Sequence, residues 1–161
     1  MNDKISELIE INDGNQSHHT FVYATWLRGY KHSRFANRIN NNVYFSRHHA
    51  VIAQILARPS TRLVVATLKE KEEGNYPDTI LGYLVCEPNV PVVHYCHIKE
   101  HFRRMGIGEA LVSASKINLA TAAYTHRTES LEEPKIYLGN KSWNIWAERL
   151  FPGLTYDPYL I

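Results

Sequence analysis

The chain reads as an α/β layer protein: a mixed central β-sheet with helices on both faces. Three observations predict this. Val22, Trp26 and Tyr30 recur at helical spacing, as do Tyr44, His48, Val51, Ile52 and Ile55 further on. Three apolar, β-branched runs follow within forty residues, at 63–68, 80–86 and 92–98. A glycine-started amphipathic segment then begins at Gly106. Helices before and after a block of strands fold into layers around one core.

Length and composition set the bounds. The 161 residues suit a single domain, taken here as 1–161, and 44% hydrophobic content is ordinary for a globular chain. A net charge of +2 does not call for nucleic acid as a partner. The two cysteines, Cys86 and Cys96, do not make a disulfide framework, and neither lies in a C-x-x-C pair. They read as free thiols in a reducing compartment. The opening MNDKISELIEIND has no apolar core, which predicts no signal peptide. No run approaches a membrane span, so the expected location is the cytoplasm.

In chain order, residues 3–11 suggest a short first strand, and Asn12-Asp13-Gly14-Asn15 a turn. A helix begins near Ser17, and a basic link runs from Lys31 to Asn42. The second helix stops at Pro59. Leu63–Leu68 and Ile80–Cys86 form a hairpin with a charged tip at 69–78, and Val92–Ile98 is the third strand of that meander. A helix is expected over 106–118, a strand over 122–128, a helix over 140–151 and a last strand over 154–160. Pro158 confines that last strand to an edge or a bulge.

The informative stretch is Ile98 to Leu111, IKEHFRRMGIGEAL, which contains R-x-x-G-x-G at Arg103–Gly108. The first amides of a helix have no intrahelical acceptor, and the helix dipole makes that end positive. Glycines at 106 and 108 let a phosphate approach the backbone, while Arg103 and Arg104 add charge. A strand, this turn and a helix together predict a pyrophosphate site. The bare pattern would arise by chance in roughly one chain in six. Its flanking elements give it weight.

On these residues the chain resembles the GNAT superfamily of acyl-CoA N-acyltransferases. Its signature V-x-P-x-x-R-x-x-G-I-G-x-x-L is matched from Ile98 to Leu111 except at the proline, where Glu100 stands. The order of elements is similar too. The resemblance implies that acetyl-CoA is the co-substrate, that no metal is needed, and that an amine, on a protein or a small molecule, is the acceptor. It implies a coenzyme site of Arg103, Arg104, Met105, Gly106, Ile107 and Gly108. The backbones of Cys96 and Ile98 would lie along the pantetheine arm, an amide near Ile98 would polarise the thioester, and Asn140 would touch the arm. A homodimer is compatible with such a fold. The segments Tyr124–Thr128 (YTHRT) and Tyr156–Leu160 (YDPYL) resemble those of phage-encoded acetyltransferase-like proteins.

Two departures bear on catalysis. Some members carry a Glu base four residues before the Cys96 position, where this chain has Val92. His94, two residues along, is the candidate base, and the alternative is a histidine packed against a neighbour. His97 would face the other way. No Tyr lies in 140–150 to act as the acid usual in the family; Tyr124 and Tyr156 are substitutes without a fixed place. A catalytically inactive, partner-binding protein on the same fold is therefore the second reading. A third, nucleic-acid binding, rests on Arg28, Lys31, His32, Arg34, Arg38 and Arg47 around the link, where a solvated surface is the simpler account. His18-His19 and His48-His49 lack ligand partners at metal-binding spacing.

Overall fold

The computed structural model describes residues 3–69, 79–129 and 142–161. Its elements are α1 (Asp3–Leu8), β1 (Ile9–Asp13), α2 (His19–Lys31), α3 (Asn41–Ala57), β2 (Arg62–Leu68), β3 (Ile80–Glu87), β4 (Val92–Ile98), α4 (Ile107–Ser115), β5 (Ala123–Tyr124), α5 (Trp143–Leu150) and β6 (Thr155–Tyr156). Single 3-10 turns occupy Gln16–His18, Glu100–Phe102 and Pro158–Leu160. The six strands lie in sequence order in one mixed sheet. β1 to β4 are antiparallel, and β4–β5 and β5–β6 are parallel.

Strand alternation builds two cores, one on each face of the sheet. Val65, Tyr83, Val85 and Tyr95 meet Val22 and Trp26 of α2 and Ile52 and Ile55 of α3. Val64, Ala66, Leu84, Cys86 and Val93 meet Ile107 and Leu111 of α4 and Ala147 of α5. Helices thus cover both faces, as the sequence predicts. No helix among the described residues is long and apolar enough to cross a membrane.

Several boundaries differ from expectation for local reasons. Residues 3–8 are helical rather than extended. Ile9 already pairs with Leu68, the last residue of β2, and the Lys69 amide closes the ladder on the Leu8 carbonyl at 2.8 Å, so the residues before it turn into a helix and satisfy their own backbone. The helix expected to reach 118 stops at Ser115, because Lys116 turns left-handed (φ 62°) and the Ser115 hydroxyl accepts from the Ile117 amide at 3.2 Å. β6 is two residues long, and Asp157 then caps the turn that Pro158 begins, accepting from the Tyr159 amide at 3.0 Å. The expected strand over 122–128 is β5 alone, for a reason that belongs to the site below. Most of the charged tip, 70–78, and Asn140 lie outside the described residues.

The basic link has its own architecture. The Lys31 ammonium donates to the carbonyls of Ala36 (3.0 Å), Asn37 (3.1 Å) and Ile39, closing the segment on itself. One charge of that cluster is therefore spent on the fold.

Candidate functional site

The site begins with an irregularity in β4. Val85 pairs with Tyr95, but Cys86 pairs with Val93, so His94 is an extra residue bulged out of the ladder. Alternation changes phase there. Val93, Cys96 and Ile98 share the α4 face, whereas Tyr95 and His97 turn toward α2. The sequence alternation alone would have put His94 on the Cys96 face.

His94 is buried, and both its ring nitrogens are engaged. Nε2 donates to Glu87 Oε1 at 2.9 Å. Because a carboxylate only accepts, the neutral ring leaves Nδ1 to accept from the Thr125 hydroxyl at 3.2 Å. Burial holds His94 below the ordinary histidine pKa, although Glu87 pulls the other way. Burial would raise Glu87, but hydrogen bonds from Ser60, His94 and Arg58 outweigh it and hold the carboxyl at about 2. Arg58 Nη1 lies 2.8 Å from Glu87 Oε1.

β5 pairs with β4 at Val92 and Val93 alone, and the last bond runs from the Thr125 amide to the Val93 carbonyl at 3.0 Å. Past that point no described strand pairs with this edge of residues 95–98, which is why the expected long fourth strand ends at Tyr124. On the other edge the Lys99 amide donates to Leu81 at 2.8 Å. In an antiparallel ladder the neighbouring residue's groups then face the opposite way. The amides and carbonyls of Cys96 and Ile98 accordingly face the gap. Arg103 Nε donates to the Ile98 carbonyl at 3.1 Å and ties the following turn to the strand end.

That turn is wound tightly. Arg104 (φ 64°) and Gly106 (φ 82°) are both left-handed, a conformation glycine takes freely and arginine at a cost. The first bond of α4 runs from the Ala110 amide to Gly106 at 3.0 Å, so the amides of 107, 108 and 109 have no acceptor in the helix. A side chain at Gly108 would meet nothing within 4 Å. Internal packing thus leaves that space to whatever approaches the amides, and the surroundings fit a phosphate group.

A cleft of about 550 Å³ joins these parts. Cys96, Ile98, Arg103, Arg104, Gly106, Ile107 and Gly108 all line it; His94 and Met105 are not among its lining residues. Its other walls were not foreseen. Trp143, Trp146, Arg149 and Leu150 form one stripe of α5, and Gly29, Tyr95, His97 and Thr128 close the end near α2. The spacing of 143, 146 and 150 was the available signal. Three arginines, 103, 104 and 149, face one carboxylate, Glu109, so the lining is net positive. His97 packs edge-on to Phe21 (6.0 Å between centroids) and beside Tyr83 (5.7 Å). Burial, followed by Arg103 and Lys99, lowers its pKa to about 4, so it is neutral near pH 7. Burial raises the Cys96 thiol well above its usual value. Tyr124 and Tyr156 do not line the cleft, and the Tyr124 hydroxyl is bonded to Glu148. Among the described residues no group of three or more His, Cys, Asp or Glu could hold a metal ion.

No protein-family model matches the chain, and no curated protein matches it in sequence. Solved structures similar to it include a possible acetyltransferase from Clostridium difficile 630, at 15% identity over 80% of this chain and 83% of that one, with a TM-score of 0.47. Apo-form YjaB from Escherichia coli is 18% identical over 67% of this chain and 64% of its own, with a TM-score of 0.44. A GNAT-family acetyltransferase from Staphylococcus aureus Mu50 is 15% identical over 66% and 62%, with a TM-score of 0.43.

Proposed function

We propose that the cleft binds an acyl-coenzyme A, in the first instance acetyl-CoA, and that the protein transfers the acyl group to a primary amine. The observation that carries this reading is the cluster of amides at residues 107–109, without acceptors in the helix, beneath the open Gly108 position and directly beyond a strand edge that no described strand pairs. The amides and the helix end take the pyrophosphate, with Arg103 and Arg104 beside it. The amide-bearing pantetheine arm runs along Cys96 and Ile98 as an added strand would.

Direct transfer then needs few groups. The amine nitrogen attacks the thioester carbonyl, the carbon–sulfur bond breaks, and the thiolate leaves to be protonated. The Ile98 amide is the donor placed to hold the developing oxyanion. His97 is the imidazole that lines the cleft; being neutral, it offers a lone pair for the amine's proton. Much of the acceleration would come from holding thioester and amine together.

A second reading, a partner-binding protein that does not turn over, is favoured by Val92 in place of a Glu and by the absence of a Tyr from α5. Calorimetry with acetyl-CoA on wild type and Gly108→Asp tests the first. Wild-type binding that Gly108→Asp abolishes supports the site. No wild-type binding at high ligand removes the acyltransferase reading.

A further inference from the structure

We infer that Glu87, His94 and Thr125 form a buried clamp that fixes where β5 parts from β4, making His94 and Thr125 positioning residues for the thioester end of the cleft. The inference rests on the acyl-CoA reading above and extends it to residues outside the cleft. His94 is the bulged residue, so it belongs to no ladder pair, and its orientation must be set by side-chain bonds. One nitrogen reaches Glu87 at the end of β3 and the other reaches Thr125, the first residue past β5. All three residues are at most 6% exposed.

The Thr125 amide makes the last main-chain bond to β4, and three residues later Thr128 lines the cleft. The gap therefore opens between 125 and 128, beside Tyr95 and Cys96. Glu87 accepts from His94 Nε2, and His94 Nδ1 faces the Thr125 hydroxyl, which also lies 2.7 Å from His126 Nδ1 and 3.5 Å from the His94 carbonyl. One side-chain oxygen thus joins the bulge to the end of β5. Valine in place of Thr125 keeps the shape and removes that central oxygen, whereas serine keeps it.

The test uses two ligands that share the pyrophosphate end. Acetyl-CoA reaches the gap, and adenosine 3′-phosphate 5′-diphosphate stops at the glycine turn. By calorimetry, Thr125→Val is expected to weaken acetyl-CoA at least tenfold, to leave the shorter ligand within twofold, and Thr125→Ser to restore wild-type affinity. If Thr125→Val does not fold, His94→Gln serves, since its amide keeps a donor near the Nε2 position for Glu87 and drops the Thr125 link. Equal weakening of both ligands, or of neither, overturns the clamp while the acyl-CoA reading stands. A wild type that binds neither ligand overturns that reading, and the clamp's role with it.

Discussion

The Tyr95 hydroxyl fills the space a side chain on Gly29 would need, lying 2.2 Å from where that Cβ would stand. The ring behind it cannot swing freely, because it is stacked on Trp26 at 4.9 Å between centroids and lies beside Tyr83 at 6.3 Å. Gly29→Ala should therefore displace Tyr95 into the cleft. Overpacking of this kind costs about 1–3 kcal/mol, and alanine's helix preference returns up to about 1. Urea unfolding should show a net loss of roughly 1 kcal/mol, while Gly29→Ala/Tyr95→Phe, lacking the hydroxyl, should recover most of it.

Gly108→Ala should behave in the opposite way. Among the described residues outside its own helix nothing lies within 4 Å of the new methyl, and alanine is the better helix former. Thermal unfolding should show an unchanged or raised midpoint, and calorimetry a weaker grip on acetyl-CoA. Unchanged affinity would mean that the phosphate does not approach this amide.

Arg149 offers the cleft a cation from α5, across from the turn that carries Arg103 and Arg104. Exposed charge contacts are worth about 0.2–1 kcal/mol. Arg149→Ala should thus weaken acetyl-CoA by up to about fivefold, and the loss should shrink as salt rises. A loss independent of salt would point to packing by the arginine stem instead.

Histidine burial predicts acid sensitivity. Burial lowers His48 and His97 to about 4, places His126 well below the ordinary value and lowers His94. Unfolded histidines titrate near 6.5, so between pH 6.5 and 4 the unfolded chain takes up protons that the folded chain refuses. Stability is then full above 6.5 and falls as pH falls, by at most about 1.4 kcal/mol per pH unit for each such group. His48 stacks on Tyr30 and Tyr44, and its Nε2 has no hydrogen-bond partner among the described residues. His48→Phe should keep the stacking and flatten the pH dependence of the urea midpoint. A slope unchanged by that substitution would remove His48 from the account.

The elements that were legible in the sequence are those whose signal is periodic and whose partner is long. β3 pairs along its length on both sides, and Ile80–Cys86 was readable to within one residue. The glycine turn was legible because local backbone chemistry demands those residues. What escaped depends on distant chain. Alternation through VVHYCHI carries no mark of the bulge at His94, because the register shift is set by Cys86 on another strand. YTHRT looks extended, yet its pairing with β4 stops at Tyr124, where the two strands part. Arg149 carries no signal in the sequence, because its place in the cleft depends on how α5 packs against distant chain.

That open edge also has a consequence for handling the protein. The outward amides of Cys96 and Ile98 and the Cys96 carbonyl, which no described strand pairs, are a template on which an extended peptide can add itself, including the same strand of another molecule. A ligand lying there would cover the template, as a neighbouring strand does elsewhere in the sheet. Concentrated ligand-free protein should scatter more light on storage than protein kept with acetyl-CoA. Solubility and occupancy would then be two measures of one exposed strand.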